Sequence, residues 1–181
     1  SMDNLDTYLS GYDHKGGALY LQHENFRDAR TGSYRWKFQT LFNGTVGYTT
    51  QGNNAQLAAL ASYSWGGYHP FTVGERLKLL AGVQIQLEGG ALYIPSNGNN
   101  PVAAKLRTAL AASGMAIYRI PVRESEWTAR LQLDIPLAGV MFAPEFGQSY
   151  YEIFGLGHTG GIIAFTHPLN CPSWRHTLSL D

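Results

Sequence analysis

The sequence is poor in charged residues, which make up 14 % of its 181 positions. Soluble domains usually carry about 25 % of charged residues, so the low content argues against a wall that is solvated on every side. The 13 cationic and 13 acidic residues cancel to a net charge of zero. A neutral chain has no general electrostatic attraction to nucleic acid, and we expect no nucleic-acid partner.

Cysteine is nearly absent, since Cys171 is the only one in the chain. An intrachain disulfide and a cysteine-rich metal site are therefore excluded. The six histidines show neither His-x-His nor His-x-x-x-His spacing, so we predict no metal and no cofactor. No run of about 18 apolar residues occurs, and no transmembrane helix is expected. Ser1-Met2 resembles a remnant of cloning, so the lack of a signal peptide says nothing about export.

Alternation of apolar and polar residues with a period of two dominates the sequence and predicts β-strands. From Tyr34 onward, for example, aromatic residues alternate with Arg35 and Lys37. The segments 55–65, 77–87, 102–120 and 127–135 alternate in the same way, and weaker strands are predicted at 18–26, 153–155, 161–167 and 173–181. Turn residues such as Gly66-Gly67 separate the strands. The pattern predicts a single all-β domain over residues 1–181, an antiparallel up-and-down barrel of about eight or more strands.

Two features favour a transmembrane barrel of a bacterial outer membrane over a soluble, lipocalin-like ligand-binding barrel. The polar rows are rich in Gln, Ser, Gly and Ala rather than in the Lys and Glu of a solvated wall. Aromatic residues on the apolar rows are predicted to lie at one rim, as in an interfacial girdle, with Trp65 closing its strand. The predicted girdle consists of Trp36, Trp65, Tyr118 and Trp127. We therefore expect outer-membrane lipid as the partner of the outer wall.

The charged side chains that should face the interior come mainly in cationic pairs. Each pair straddles one apolar residue, so both charges face the same side of the strand. The predicted interior cluster consists of Arg35, Lys37, Arg76, Lys78, Arg130 and Asp134. In a small barrel such groups pair with carboxylates and fill the interior, and the alternative is an anion-selective passage. The apolar row of Leu77, Leu79, Val83, Ile85, Leu131 and Leu133 should point outward into lipid.

A polar cluster near the C-terminus contains the residue types of a hydrolase. Ser149, His158 and Glu152 supply a hydroxyl, an imidazole and a carboxylate. Ser149 lies in Gly-Gln-Ser-Tyr-Tyr and not in a Gly-x-Ser-x-Gly elbow, so the signal for a nucleophile is weak. We predict that Ser149 and His158 are not a catalytic pair. The alternative is an outer-membrane hydrolase that uses them on lipid.

Three segments stand out by their motifs rather than by alternation. They are Asn4-Leu5-Asp6-Thr7-Tyr8-Leu9-Ser10, Asn97-Gly98-Asn99-Asn100-Pro101 and Phe142-Ala143-Pro144-Glu145-Phe146-Gly147-Gln148-Ser149-Tyr150-Tyr151-Glu152-Ile153-Phe154. These segments resemble a Bacteroidetes family of outer-membrane β-barrel-like proteins of unknown function, over nearly the whole chain. The resemblance implies export to the outer membrane, and it brings no activity, cofactor or catalytic residue.

The end of the chain departs from that family. Outer-membrane barrels usually finish on a strand with a terminal aromatic residue, whereas this chain stops at Leu180-Asp181 within an alternating run. We therefore expect a C-terminal truncation and a barrel that does not close by covalent order alone. The predicted function is a non-enzymatic component of the bacterial envelope with a structural, interaction or small-pore role. Whether it has a protein partner is left open.

Overall fold

The fold of the computed structural model is one antiparallel β-sheet. The structure describes residues 2–4, 14–51, 54–95, 101–122, 125–143, 153, 155–157, 160–169 and 174–180. The strands are β1 (Met2–Asn4), β2 (His14–Thr31), β3 (Tyr34–Gln51), β4 (Asn54–Val73), β5 (Leu77–Tyr93), β6 (Val102–Val122), β7 (Ser125–Phe142), β8 (Ile163–Thr166) and β9 (Arg175–Leu180). Within these residues no helix is long and apolar enough to span a membrane.

Consecutive strands are neighbours in the sheet from β1 to β8, and β9 also pairs with β7. The prediction of an all-β, antiparallel up-and-down fold with at least seven strands is confirmed. Among the described residues the sheet is not closed by hydrogen bonds, because β1 and β2 lie at one edge while β8 and β9 lie beyond β7 at the other. The prediction that the chain does not close a full barrel is therefore also confirmed.

Strands β8 and β9 occupy the same position beside β7 and together form one interrupted strand. β8 pairs with residues 139–142 and β9 with residues 129–134, both antiparallel to β7. Residues 135–138 of β7, which lie between these two paired stretches, pair with neither β8 nor β9. At the same place the pairing of β7 with β6 shifts, and Leu137 is left out of the register as a bulge. Such a bulge bends a strand and increases its twist.

The side chains of β3 to β7 divide into an outer row that is mainly apolar and an inner row that carries the buried polar residues beside apolar ones. On β5, Val83 and Ile85 are exposed while Gln84 and Gln86 are buried. Among the predicted outward residues, Leu77 is half-buried, and Leu79, Val83, Ile85, Leu131 and Leu133 are exposed. Among the described outward-pointing side chains of β3 to β7 there is no Asp, Glu, Lys or Arg. This arrangement is the reverse of a soluble barrel, in which the apolar row lines the interior.

Strand β4 runs without interruption through Gly66-Gly67, so the predicted turn at these two residues is wrong. Gly66 lies in the inner row beneath the fully buried ring of Tyr68. A Cβ on Gly66 would lie 2.9 Å from Cε2 of Tyr68 and 3.0 Å from Cβ of Gln84. The glycine is needed because a large ring passes close to the backbone, and not because the chain reverses direction.

Candidate functional site: the polar interior

A hydrogen-bonded network of polar side chains fills the middle of the interior. The Gln39 amide donates to Oε1 of Gln132 at 2.9 Å, and the Gln132 amide donates back to Oε1 of Gln39 at 3.2 Å. The Tyr68 hydroxyl donates to Oε1 of Gln39 at 2.8 Å and lies 3.0 Å from Oγ of Ser113. Ser113 in turn donates to Asp134. All five side chains are buried, so the network joins β3, β4, β6 and β7 across the interior.

Two ion pairs extend this network to both edges of the sheet. Arg130 on β7 pairs with Glu24 on β2, and its guanidinium carbon lies 5.2 Å from the ring centre of Phe26. Arg175 on β9 donates from Nε to Oδ2 of Asp134 at 3.0 Å. Hydrogen bonds to charged groups contribute about 1.5–3 kcal/mol each. Side chains therefore connect β2 to β7 where backbone hydrogen bonds do not.

Two cavities lie on either side of the network. The larger, of about 740 Å³, lies towards the β3–β4 and β5–β6 connections and is lined by Leu60, Leu92 and Met141 among others. It also contains the ion pair of Arg107 with Glu88, whose closest atoms are 3.2 Å apart. The smaller cavity, of about 330 Å³, lies at the opposite end, beside the β2–β3 and β4–β5 hairpins. Both volumes fall within or near the range of small-molecule sites, about 300–1,000 Å³.

Four of the predicted interior residues lie on the inner row of the sheet. Arg130 and Asp134 are buried and belong to the network described above. Lys37 and Lys78 are half-buried and line the smaller cavity. Nζ of Lys37 lies 2.6 Å from Oδ1 of Asp28, which is on the neighbouring strand. The predicted cluster is thus divided between the middle of the interior and one of its two ends.

The other two predicted interior residues lie at the end of the sheet. Arg35 lines the smaller cavity but is exposed, because it is the second residue of β3. Arg76 lies in the turn between β4 and β5 and is also exposed. Its carbonyl accepts a hydrogen bond from the backbone amide of Arg119 at 2.9 Å. Neither arginine is enclosed, because neither lies deep within a strand, and their membership of an interior cluster stays a prediction.

Three of the four predicted girdle residues lie close to the hairpins of one end. Trp36 is the third residue of β3, Trp127 is the third of β7, and Tyr118 precedes the end of β6 by four residues. Trp65 lies in the middle of β4, because that strand continues for eight residues beyond it. It pairs with Thr40 of β3. The expectation that Trp65 closes its strand is wrong. All four aromatic side chains are exposed on the outer face.

Sequence reasoning missed another aromatic residue at that end of β4. Phe71 is exposed, and its ring centre lies 4.8 Å from that of His69. The His69 ring in turn meets Trp36 edge-on, with 5.6 Å between the centres. This row of rings could have been found from the outward parity of His69 and Phe71, once β4 is taken to continue past Gly66-Gly67.

The comparison with protein families gives a match over the whole chain, residues 1–181, to the family described as "Protein of unknown function (DUF3316)". The chain belongs to this family. The prediction that the chain belongs to a family without an assigned activity is confirmed. A Bacteroidetes origin and an outer-membrane location stay predictions. No curated protein and no solved structure matches the sequence significantly. Membership in DUF3316 therefore assigns no ligand and no catalytic residue to the interior.

Most of the network of this DUF3316 protein was not predicted as a functional group. Gln39, Gln84 and Gln132 all lie on the polar rows and are buried. A buried glutamine carries two donors and an acceptor that need partners, so a row of glutamines on one face is a detectable signal for a network. The pairing partners themselves were not detectable, because Gln39 and Gln132 are 93 residues apart in sequence.

The candidate hydrolase residues of this DUF3316 chain, Ser149, His158 and Glu152, lie outside the described residues. The prediction that Ser149 and His158 are not a catalytic pair therefore stays a prediction. In the part of the chain that the structure describes, no group of three or more His, Cys, Asp or Glu side chains is placed to hold a metal ion.

Proposed function

We propose that this protein is a transmembrane β-barrel of a bacterial outer membrane with a structural or interaction role rather than a catalytic one. The observation that supports it most is the absence of Asp, Glu, Lys and Arg from the described outer row of β3 to β7. A solvated wall normally carries about 25–35 % charged residues. A lipid-facing wall excludes them, because each Lys or Arg at mid-membrane costs about 2–4 kcal/mol.

The length of the outer wall also fits a bilayer. Trp36 and Tyr48 both point outward from β3 and are 12 residues apart. At about 3.3 Å per residue and a strand tilt of about 45°, this separation projects to about 28 Å along the barrel axis. The apolar band of outer-membrane barrels is about 25 Å tall. The spacing of the aromatic residues near both ends of β3 therefore supports a strand that reaches from one headgroup region to the other.

The polar interior supports a filled barrel rather than an open pore. In bilayer hydrocarbon, polar side chains must find their hydrogen-bond partners within the protein, and the network from Gln39 to Asp134 supplies them on the inner face. Barrels of about eight strands are commonly filled by their own side chains. An interior fixed by buried side chains is suited to holding a rigid wall in the envelope.

Depth measurements with brominated lipids test the membrane proposal. Variants that each keep one tryptophan, with the others changed to Phe, are refolded into vesicles of lipids brominated at different acyl positions. Trp65 lies in mid-strand, so bromines deep in the bilayer should quench it most, whereas shallow bromines should quench Trp36 and Trp127 most. Equal and weak quenching of all three at every depth would mean that the outer wall does not face lipid, and the proposal would be wrong.

The non-enzymatic part of the proposal needs a separate assay. The purified protein in a neutral detergent is given short-chain and long-chain acyl esters, and Ser149→Ala is measured beside it. We expect the same background hydrolysis from both proteins. Hydrolysis that falls with Ser149→Ala, and also with His158→Ala, would favour a lipid-acting hydrolase instead.

A further inference from the structure

The smaller cavity carries a surplus of positive charge. Among its lining residues four are cationic, Arg30, Arg35, Lys37 and Lys78, and one is acidic, Asp28. Four cations less one carboxylate leave a charge of +3 around about 330 Å³. The whole chain, in contrast, has a net charge of zero. A negatively charged ligand in this cavity would therefore be attracted by the surplus of positive charge.

The described contacts neutralise only one of the four cations. Lys37 is paired with Asp28. Nε of Arg30 donates to the backbone carbonyl of Gly32 at 3.1 Å, which satisfies a donor but supplies no negative charge. Within the described residues Lys78 is half-buried and makes no ion pair. A cation that is partly removed from water without a counter-charge is unfavourable, and Lys78 is such a cation.

The strand register brings two more of these cations together. Arg30 on β2 and Arg35 on β3 are direct cross-strand partners. Like charges directly opposite each other in an antiparallel pair are destabilising. Two arginines at directly opposed positions can, however, both reach the oxygens of one phosphate group, which arginine binds through two parallel hydrogen bonds. An unfavourable pair in the free protein therefore becomes a favourable one around an anion.

We propose that this cavity binds a phosphate-bearing anion with at least two negative charges. The charge of the anion offsets the surplus of three, and the cavity volume is at the lower end of the range for small-molecule sites. The phosphate group belongs either to a free anion or to a lipid headgroup. This inference does not rest on the membrane proposal, because it depends only on the charges and the cavity at this end of the sheet.

Calorimetric titration with inorganic pyrophosphate tests the site on the full chain in a neutral detergent. We expect saturable binding that weakens as the salt concentration rises. Lys78→Gln and Arg35→Gln should each weaken binding at least tenfold, or about 1.4 kcal/mol. The matched control is Arg27→Gln, which removes an exposed charge from the outer face of β2, opposite Phe38, and should leave binding unchanged.

Doping the micelles with phosphatidic acid separates the two sources of the phosphate group. Phosphatidylcholine, which has no net charge, serves as the comparison lipid. Tighter binding of phosphatidic acid than of pyrophosphate assigns the site to a lipid headgroup, and the reverse order assigns it to a free anion. Failure of both probes to bind, or equal binding by the wild type and Lys78→Gln, would overturn the proposal.

Thermal melting separates a binding role of Arg35 from a structural one. Removal of one member of a like-charge pair should leave the Tm of the free protein unchanged or slightly higher. Pyrophosphate should raise the Tm of the wild type, since a ligand of the folded state stabilises it, and should raise that of Arg35→Gln much less. A lower Tm of Arg35→Gln without anion, together with an undiminished rise on adding pyrophosphate, would contradict the proposed site.

Discussion

Two valines on the outer wall allow a sharp test of whether that wall faces lipid. Val83 is in the middle of the sheet, on β5, where it pairs with Gly67 and Ala112. Val73 is the last residue of β4, next to a hairpin. The two side chains have nearly the same exposure, 54 % and 50 %, and both point outward. Val83→Arg and Val73→Arg therefore make the same chemical change at two different depths.

A wall that faces lipid and a wall that faces water predict different free energies of unfolding for these two variants. In a bilayer, an Arg at the midplane of a barrel costs about 2–4 kcal/mol, and near the interface it costs about 0–1 kcal/mol. On a solvated wall, substitutions at exposed positions usually stay within about 0.5 kcal/mol. We thus expect Val83→Arg to be less stable than Val73→Arg by about 2–3 kcal/mol. The total stability of a domain is about 5–15 kcal/mol, so Val83→Arg should still fold and remain measurable.

Reversible urea unfolding from phospholipid vesicles, followed by tryptophan fluorescence, gives both free energies. Val83→Gln and Val73→Gln should be measured with them, because they report the loss of a β-branched side chain without adding a charge. Equal destabilisation by the two Arg variants, within about 0.5 kcal/mol, would refute a lipid-facing wall at Val83 and support a barrel exposed to water.

Three further predictions concern the interior. Gly66→Ala should destabilise by about 1–3 kcal/mol, because its Cβ would lie 2.9 Å from the ring of Tyr68, whereas Gly17→Ala meets nothing within 4 Å and should be neutral in the same thermal melts. Tyr68→Ala should raise single-channel conductance in planar bilayers, since it removes a large, fully buried ring from the middle of the interior; an unchanged trace would show that the ring does not obstruct the interior. Asp134→Asn should cost about 1.5–3 kcal/mol in urea unfolding, because it leaves Arg175 without its carboxylate, and Arg175→Gln in that background should recover part of the loss if the ion pair is the cause.

The strands of the central sheet could be predicted because their local pattern and their final environment agree. On β5 and β7 the alternation is nearly unbroken, and it fixes which side chains share a face before any pairing is known. The scarcity of charge on both rows then indicated that the apolar row faces outward. The exposed positions of Ile85 and Leu133 follow from that pattern alone.

The sequence predictions fail where a tertiary contact determines the local structure. Gly66-Gly67 is a turn signal in isolation, and it is the ring of Tyr68 two residues later that makes glycine suitable within a strand. The misplaced end of β4 then led directly to the wrong position for Trp65. The network has the same origin, because Glu24 and Arg130 are 106 residues apart and meet only when the sheet curls.

The outer row of β2 differs from that of β3 to β7, and the difference bears on how the sheet would lie in a membrane. His23, Asn25 and Arg27 point outward from β2 and are exposed. In hydrocarbon every backbone N–H and C=O group must be hydrogen-bonded within protein, and the ion pair of Glu24 with Arg130 satisfies side chains but no backbone groups. A transmembrane state of this sheet therefore requires strand pairing along residues 17–31 of β2, which among the described residues pair with β3 alone. The polar outer row of β2 is consistent with that requirement, because in such a state β2 would face protein and the charge-free wall of β3 to β7 would face lipid.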